Sequence, residues 1–195
     1  MKKLYCFDFD GTLTHSDTMF LFLKYYNSRS YYFSFIKHVP LFTLLKLHLA
    51  DAERVKRSFI SSVLKGEKKT RLEEVSKQFF EENYPDLLRS NAREFLGKID
   101  HSKTKCLLVT ASLDIWVKPF AEKLDMELLA TTAEFKDGIF TGKFTGKNCN
   151  GDEKVCRIKD AINGKKFDKT IAFGDTKSDR PMLNWADESH YRFFH

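Results

Sequence analysis

The chain alternates between two hydrophobic patterns, one typical of buried strands and one typical of helices. Nearly unbroken apolar runs lie at residues 4–7, 106–109 and 170–173. Runs that lack a polar face are typical of central strands in a parallel sheet, which helices cover on both sides. Between these runs, apolar residues recur at helical spacing. The alternation predicts an α/β fold built on a doubly wound parallel sheet.

A segment with only helical spacing follows the first strand. Apolar residues recur there every three or four positions, which predicts several amphipathic helices and no strand. Pro40 predicts a break or a kink, followed by a second short helix at residues 41–49. Thr70 and Glu73 form a capping-box pattern at the start of another. The predicted organisation is an α/β core at residues 1–16 and 85–195, with an all-helical cap inserted at residues 17–84.

Two local signals predict how the sheet ends. Residues 135–144 alternate in polarity around Asp137 and Gly138, which is typical of a hairpin. Residues 191–194 are aromatic apart from one arginine, which predicts a final edge strand. The core is therefore expected to carry an antiparallel hairpin beside its parallel strands.

Composition narrows the class of protein without identifying its chemistry. A length of 195 residues suits one domain with a sizeable insertion. A hydrophobic fraction of 42% with 31% charged residues is ordinary for a globular chain. The four cysteines lack metal-binding spacing, and no signal peptide precedes the first strand. We therefore predict reduced thiols and a cytoplasmic location.

Two carboxylates follow the first strand directly. Asp8 and Asp10 are two residues apart, so in an extended chain their side chains point to the same side. Two such charges are unfavourable together unless a cation lies between them or one is protonated. Gly11 permits a sharp turn and leaves backbone amides free to approach an anion. These residues predict a Mg²⁺-dependent site for a phosphate at the carboxyl edge of the sheet.

Two further segments bring polar groups to the ends of predicted strands. Thr110, Ala111 and Ser112 precede a helix, where a hydroxyl and free amides bind a phosphate oxygen. Simple capping of that helix is the alternative. Asp175 follows the last long strand, and hard oxygen ligands of this kind suit Mg²⁺. The three strand ends together predict one shared site.

These residues also carry a resemblance to a known family. The segment Asp8-Phe-Asp-Gly-Thr-Leu-Thr14 resembles the first motif of the haloacid dehalogenase-like (HAD) phosphohydrolases. The resemblance implies a Rossmann-like core, with Asp8 as the nucleophile and Asp10 as the general acid/base. The apolar strand that ends at Thr110 is similar to the second motif, whose hydroxyl binds phosphate.

The last motif is found near the end of the chain. Residues 174–179 resemble the Gly-Asp-x-x-x-Asp motif of the family. The resemblance implies that Asp175 is a direct Mg²⁺ ligand beside Asp8 and the carbonyl of Asp10. For Asp179 it implies one of two roles, a metal contact through water or orientation of the catalytic lysine.

The resemblance also implies a lysine in the site. In the relevant subgroup a lysine opens the helix before the last motif strand, and Lys154 matches that place better than Lys147. Such a lysine neutralises charge on the nucleophile and on the transferring phosphoryl group. A solvated surface lysine is the alternative for either residue. Ser178 lies where some relatives carry a phosphate-contacting Asn.

The position of the cap, directly after the first motif, resembles the phosphoserine-phosphatase-like subgroup. Asp17 lies where phosphoserine phosphatases carry a Glu that binds the substrate amine. Asp17 is equally well explained as the N-cap of the helix that follows it. The subgroup therefore suggests phosphoserine only weakly as a substrate, because the Glu itself is missing.

The cap has a basic and aromatic composition of its own. Residues 24–71 hold eleven Lys or Arg and three Asp or Glu, and nine aromatic residues lie between Phe20 and Phe42. A basic, aromatic, amphipathic surface is suited to peripheral contact with an anionic membrane. An aromatic cap core with a solvated basic rim is the alternative that we favour. Residues 31–49 are too often interrupted by polar residues to predict a membrane span.

The motifs together predict a Mg²⁺-dependent phosphomonoester hydrolase that works through an aspartyl-phosphate. The substrate is a small phosphorylated metabolite or a lipid head-group phosphate, as in phosphoserine phosphatase or in phosphatases resembling phosphatidylglycerophosphate phosphatase. A phosphotransferase shares every motif. A nucleic-acid-binding module on an inactive HAD core is the non-enzymatic alternative, although the intact carboxylates favour catalysis and no nucleic acid is expected. The predicted location is the cytoplasm, at or near the inner face of the membrane, and the oligomeric state stays open.

Overall fold

The computed structural model of the protein describes residues 2–195 and contains one six-stranded sheet. Its spatial order is β4-β3-β2-β1-β5-β6. Only β3 and β4 pair antiparallel; the other neighbours run parallel. The strands are β1 (Lys3–Phe7), β2 (Thr104–Leu113), β3 (Glu127–Lys136), β4 (Ile139–Thr145), β5 (Lys169–Gly174) and β6 (Glu188–Tyr191).

Eight helices surround the sheet or extend from it. They are α1 (Thr18–Tyr26), α2 (Ser28–Lys46), α3 (Ala52–Leu64), α4 (Lys69–Asn83), α5 (Ser90–Leu96), α6 (Asp114–Lys123), α7 (Asp152–Ile162) and α8 (Arg180–Trp185). Helices alternate with the parallel strands, so the predicted doubly wound α/β fold is confirmed.

The two faces of the sheet bury alternate residues of the same strands. Leu4 and Cys6 of β1 pack in a cluster that includes Ile158 of α7 and Met182 of α8. The cluster on the other face includes Phe7, together with buried residues of α1, α3, α4, α5 and α6, and partly buried residues of α2 pack against it. Because side chains alternate across a strand, an apolar run such as β1 fills both cores at once.

The chain leaves β1 on one side for β2 and later returns to its other side as β5. β1 therefore pairs with both strands, with Phe7 opposite Leu108 of β2 and opposite Phe173 of β5. In open α/β sheets the crevice at such a switch point, beyond the carboxyl ends of the strands, is where ligands bind. This topology directs attention to the residues that follow Phe7.

Helices α1–α4 occupy the segment that the sequence assigns to the cap, and the division into core and cap stays a prediction. Asp17 caps α1, as predicted, by accepting a hydrogen bond from the Met19 amide at 2.9 Å. The predicted break at Pro40 is wrong, because α2 continues through it to Lys46. Pro40 lies on the exposed side of α2. The carbonyl of the exposed Ile36, which loses its intrahelical partner, can be hydrated there.

The predicted capping box at Thr70 is also wrong. Helix α4 begins one residue earlier, at Lys69, and no side chain caps it. The Lys69 amide instead donates to the Gly138 carbonyl at 2.8 Å. Gly138 belongs to the β3–β4 turn, where it and Asp137 both have positive φ values. A long-range contact therefore supplies the acceptor that a local side chain was expected to provide.

The β3–β4 hairpin is confirmed, whereas the last strand is displaced. Its observed range is Glu188–Tyr191 rather than residues 191–194. Phe194 packs on Phe173 instead, with ring centroids 5.3 Å apart. Burial of this aromatic side chain in the core outweighs its β-propensity. Among residues 2–195, no helix combines the length and apolar character needed to cross a bilayer.

Candidate active site

Asp8 and Asp175 lie side by side where β1 and β5 end. Asp8 follows β1 directly, and its amide donates to the Phe173 carbonyl of β5 at 3.0 Å. Asp175 is the first residue after β5. The two residues are only 6% and 8% exposed. Parallel pairing of the strands thus brings together two carboxylates that are 167 positions apart in the sequence.

Thr12 connects the two carboxylates. Its hydroxyl lies 3.0 Å from Asp8 Oδ2 and 2.9 Å from Asp175 Oδ1, within hydrogen-bond distance of both. A hydroxyl has one proton and can donate to only one of them at a time. The carboxylate that does not receive this proton is then close to the other negatively charged carboxylate, with no proton between the two. This arrangement favours the presence of a cation.

Lys154 forms a buried double ion pair at the same place. Its Nζ donates to Asp8 Oδ1 and to Asp179 Oδ1, both at 2.6 Å. The side chain is 1% exposed and extends from the first turn of α7. Lys147, the other candidate from the sequence, is exposed. The structure therefore brings Lys154, and not Lys147, to Asp8.

Burial and the neighbouring charges have opposite effects on the pKa values of Asp8 and Lys154. Burial raises the pKa of Asp8 above its ordinary value, and the charge of Lys154 reduces that increase only in part. Burial by itself would lower the pKa of Lys154, but Asp8 and Asp179 outweigh it and raise that pKa. The lysine is therefore a permanent cation. Asp8 still lacks part of the positive charge that would keep it ionised.

A divalent cation would supply the positive charge that Asp8 lacks. Asp8, Asp175 and Asp179 each offer a carboxylate oxygen, and these oxygens all lie within 4.8 Å of one another. A donor set made only of oxygen suits a hard ion such as Mg²⁺, which takes few protein carboxylates and keeps several waters. The residues present thus match the chemistry of a magnesium site.

Asp179 is occupied by contacts from its own segment. Its Oδ2 accepts hydrogen bonds from the amides of Asp175 and Thr176 and from the Thr176 hydroxyl, at 2.7–3.2 Å. Its Oδ1 accepts from Lys154. A Cβ on Gly174 would lie 2.6 Å from the Asp179 Cβ, so only glycine permits this approach. Of the two roles predicted for Asp179, the contacts favour orientation of the lysine.

Asp10 is held by the start of α1 and the end of β2. Its Oδ1 accepts from the Thr18 amide at 2.7 Å and from the Thr18 hydroxyl at 2.6 Å. Its Oδ2 accepts from the Ser112 hydroxyl at 2.5 Å. The indole of Trp116 donates to the Thr18 hydroxyl in turn, at 3.0 Å. Asp10 is thereby fixed in one orientation. Sequence reasoning missed Thr18, although its place in the first turn of a helix after the motif was visible.

The predicted phosphate-binding residues differ in their burial and in their hydrogen-bond partners. Thr110 is buried, and its hydroxyl accepts from the Ser112 amide at 3.0 Å. The Gly11 amide is not free as expected, because it donates to the Thr14 hydroxyl at 3.2 Å. Ser178 contacts the Thr176 hydroxyl in the turn after β5. The Thr110 hydroxyl lies 3.5 Å from Asp10 Oδ2, farther than the Ser112 hydroxyl at 2.5 Å.

Glycine is required at position 11 for two reasons. Its φ is +84°, a conformation that residues with a Cβ rarely adopt. A Cβ there would lie 2.6 Å from Asp175 Oδ2. The turn at Phe9–Leu13 can therefore pass close to the acidic cluster only because this side chain is absent.

A lysine from α3, missed by sequence reasoning, also reaches the site. Lys56 Nζ donates to the Ala111 carbonyl at 2.7 Å. Burial lowers the pKa of Lys56, while the charges of Asp10 and Asp17 oppose that effect. The Asp17 side chain is exposed at the surface. Partial desolvation by the surrounding protein and the negative charge of Asp10 nevertheless raise its pKa to about 6, because both disfavour the ionised carboxylate. In the sequence, Lys56 is next to an apolar position of α3. Nothing in the sequence distinguishes it from an ordinary surface lysine.

Comparison with known proteins agrees with this geometry. The family model for haloacid dehalogenase-like hydrolases matches residues 6–184. "Protein CicA" of Caulobacter vibrioides is 35% identical over 195 residues, which are 98% of this chain and 86% of that protein. Phosphoserine phosphatase of Streptococcus thermophilus is 32% identical over 111 residues, 55% of this chain and 52% of that enzyme.

The fold is also similar to that of a solved phosphoserine phosphatase. That structure, described as a phospho-aspartyl intermediate analogue, matches with a TM-score of 0.68 and 21% identity. The match covers 96% of this chain and 85% of the other. The predicted fold class and family are therefore confirmed. The chain belongs to the haloacid dehalogenase-like hydrolase family.

Proposed function

We propose that the protein is a Mg²⁺-dependent phosphomonoester hydrolase that forms an aspartyl-phosphate on Asp8. The observation that carries the proposal is the cluster of Asp8, Asp175, Asp179 and Lys154 at one edge of the sheet. Phosphoryl transfer depends mainly on positioning and on charge stabilisation. A nucleophilic carboxylate beside a buried ammonium and a cation site provides both.

The residues have distinct roles in the proposed reaction. The side chains of Asp8 and Asp175, with the Asp10 carbonyl, would hold Mg²⁺. When bound, the ion offsets the charge between the Asp8 carboxylate and the phosphate ester. An Asp8 oxygen attacks phosphorus in line with the leaving oxygen. Lys154 and Thr110 hold the phosphoryl oxygens during transfer.

Asp10 acts as the general acid and then as the general base. It protonates the leaving oxygen in the first step and takes a proton from water in the second. Its contacts with Thr18 and Ser112 keep one orientation for both steps. The phospho-aspartyl analogue described for a protein of similar fold supports an acyl-phosphate pathway here.

The first expected result is hydrolysis that depends on the metal. Purified protein should release phosphate from p-nitrophenyl phosphate in Mg²⁺ and lose that activity in excess EDTA, because the acidic cluster then lacks its cation. Restoring Mg²⁺ should restore the rate. Undiminished hydrolysis in EDTA would contradict the proposed centre. Adding glycerol and measuring glycerol phosphate separates hydrolysis from phosphate transfer to an alcohol.

The substrate class is narrowed by two opposite charges at the site. Asp17 precedes Thr18, whose amide donates to Asp10. Lys56 Nζ donates to the carbonyl of Ala111, the neighbour of Ser112, whose hydroxyl also donates to Asp10. We infer that a phosphate ester carrying both an amine and an anionic group fits here better than an uncharged alcohol phosphate. An amino-acid phosphate and a zwitterionic lipid head group both meet this description. A panel of amino-acid, sugar, nucleotide and lipid phosphates ranks them directly.

A variant of Lys56 provides the second expected result. Lys56→Gln should raise KM for the preferred substrate at least about tenfold, because hydrogen bonds to charged groups contribute about 1.5–3 kcal/mol. The kcat should change less, since Lys56 contacts Ala111 and not Asp8. Arg54→Gln removes an exposed charge from the same helix and is the matched control. Equal KM values for the two variants would show that Lys56 does not bind substrate.

A further inference from the structure

Helix α2 turns large apolar side chains towards solvent. Its exposed residues and those of the turn that follows it include Phe33, Ile36, Leu47 and Leu49, which are 60–71% exposed. The complete set at this surface is Tyr32, Phe33, Phe35, Ile36, Val39, Leu44, Leu47 and Leu49. Most of these residues follow one another at helical spacing along one side. We call this surface the outer face of α2.

The inner side of α2 is polar at two positions where a surface helix is normally apolar. Ser34 and His38 are both buried. His38 Nδ1 contacts the Ser34 carbonyl at 2.8 Å, and Nε2 contacts the Ser58 hydroxyl of α3 at 3.0 Å. The imidazole also packs on Phe59, with ring centroids 5.3 Å apart. Tyr31 and Phe42 of α2 are partly buried and pack against the core beside them, so α2 carries large apolar side chains on its outer side as well as on its inner side.

Such a surface needs an explanation. Isolated exposed apolar residues are common, but contiguous patches on a monomer mark sites of interaction. Eight large side chains within one helix and its following turn form a patch of this kind. Because these side chains are 37–71% exposed, burial within this chain does not account for them. The outer face therefore has an occupant other than the rest of the protein.

Charge identifies the kind of occupant. No acidic residue lies between Asp17 and Asp51, whereas Lys24, Arg29, Lys37 and Lys46 all do. Two of these cations lie next to the outer face. Lys37 Nζ is 4.4 Å from the centre of the Phe33 ring, and Lys24 Nζ is 5.7 Å from that of Tyr32. The partner must therefore combine an apolar interior with a negative surface.

An anionic lipid leaflet has this combination. Aromatic and aliphatic side chains enter the boundary between head groups and acyl chains, while neighbouring lysines and arginines contact the phosphates. A second copy of the chain fits less well, because face-to-face packing would bring two sets of basic residues together without an acidic residue among them. At 19 residues, α2 is long enough to lie in the plane of the interface.

We propose that the outer face of α2 is a docking surface for an anionic membrane, with the helix parallel to the bilayer plane. This goes beyond the proposed phosphatase chemistry and does not require it. The sequence alone favoured a solvated basic rim around an aromatic cap core. The exposure of the outer face reverses that preference.

The test is sedimentation with vesicles. The intact protein should pellet with phosphatidylcholine–phosphatidylglycerol vesicles at low salt, less so at high salt, and little with pure phosphatidylcholine. Lys37→Gln and Lys46→Gln should each weaken binding about fivefold, since each cation contributes about that factor near an anionic surface. Ile36→Ser and Phe33→Ser should weaken it as well, because they remove apolar area.

Matched variants separate docking from general charge and from misfolding. Lys165→Gln with Lys166→Gln removes two charges from the exposed loop after α7, one more than either α2 lysine variant, and should still leave vesicle binding unchanged. All α2 variants should hydrolyse a soluble ester at the rate of the wild-type protein, which verifies their folding. If that ester is not hydrolysed by the wild-type protein either, near-ultraviolet circular dichroism verifies folding instead, and the docking result stands apart from the proposed function.

Three outcomes would overturn the proposal. The first is the absence of salt-sensitive binding to anionic vesicles. The second is an equal loss of binding in the Lys165/Lys166 control. The third is a dimer, seen by sedimentation equilibrium, that Ile36→Ser dissociates while vesicle binding is absent, because this assigns the outer face to a second copy of the chain.

Discussion

Asp8→Asn is expected to abolish hydrolysis of phosphomonoesters, with a loss of at least about 10⁴-fold in kcat, because the amide is a far weaker nucleophile than the carboxylate. No neighbouring group replaces it. Lys154 Nζ is a cation, and Asp179 already accepts three hydrogen bonds from its own segment and one from Lys154. Release of phosphate from p-nitrophenyl phosphate in Mg²⁺ measures the loss.

The variant is expected to fold, which makes the loss interpretable. Lys154 keeps its ion pair with Asp179 at 2.6 Å after Asp8 is neutralised, so no buried charge is left without a partner. Asp86→Asn removes an exposed carboxylate and is the matched control. Its activity should equal that of the wild-type protein.

A second measurement identifies the atom that receives the phosphoryl group. Wild-type protein quenched during turnover of a ³²P-labelled ester should carry protein-bound phosphate that hydroxylamine releases, as expected for an acyl phosphate. Asp8→Asn should carry none. Retained activity in Asp8→Asn, or label that persists in it, would assign the nucleophile to another residue.

Lys154→Met is expected to have the largest effect on stability. The substitution leaves Asp8 and Asp179 buried next to each other without their shared cation. Removal of one partner from a buried ion pair costs about 3–5 kcal/mol of the free energy of unfolding. Urea denaturation in EDTA measures this loss. Activity should be lost as well, because no other ammonium among residues 2–195 contacts Asp8.

Mg²⁺ should restore part of the stability of Lys154→Met. A cation that binds the folded acidic cluster and not the unfolded chain stabilises the folded state by mass action. The midpoint of urea unfolding should therefore rise more with Mg²⁺ in the variant that lacks its own cation. Lys147→Met, at an exposed lysine nearby in the sequence, should unfold like the wild-type protein. A Lys154→Met protein within about 0.5 kcal/mol of wild type would refute the proposed electrostatics of the site.

Sequence reasoning identified the residues that stand where strands end. The apolar run of β1 predicted a central strand, so Asp8 and Asp10 had to lie at its carboxyl edge. The same reasoning placed Asp175 directly after β5, as observed. It also placed Thr110 at the end of its strand, whereas β2 continues to Leu113. Lys154 was preferred over Lys147 through the family resemblance, and the structure brings it to Asp8. The inferences that succeeded depend on local patterns and on one rule of sheet topology.

Errors arose where a distant contact competed with a local signal. Pro40 does not break α2, because the affected carbonyl is on the exposed side of the helix. Helix α4 begins without the predicted cap, because the β3–β4 turn supplies an acceptor for Lys69. Phe194 is buried against Phe173 and does not extend β6. In each case the decisive partner lies outside the short window in which a periodic pattern is recognised.

The sequence by itself determined the α/β class, the family and the strand-end carboxylates, because hydrophobic periodicity and motif spacing are properties of neighbouring residues. Only the tertiary structure decided that Thr12 lies between Asp8 and Asp175, that Lys56 reaches Ala111, and that many large apolar side chains of α2 face outward. Helical spacing shows that a helix has two sides but not which side the rest of the chain covers. That choice depends on how α2 packs against α1 and α3, and therefore on residues far from it in the sequence.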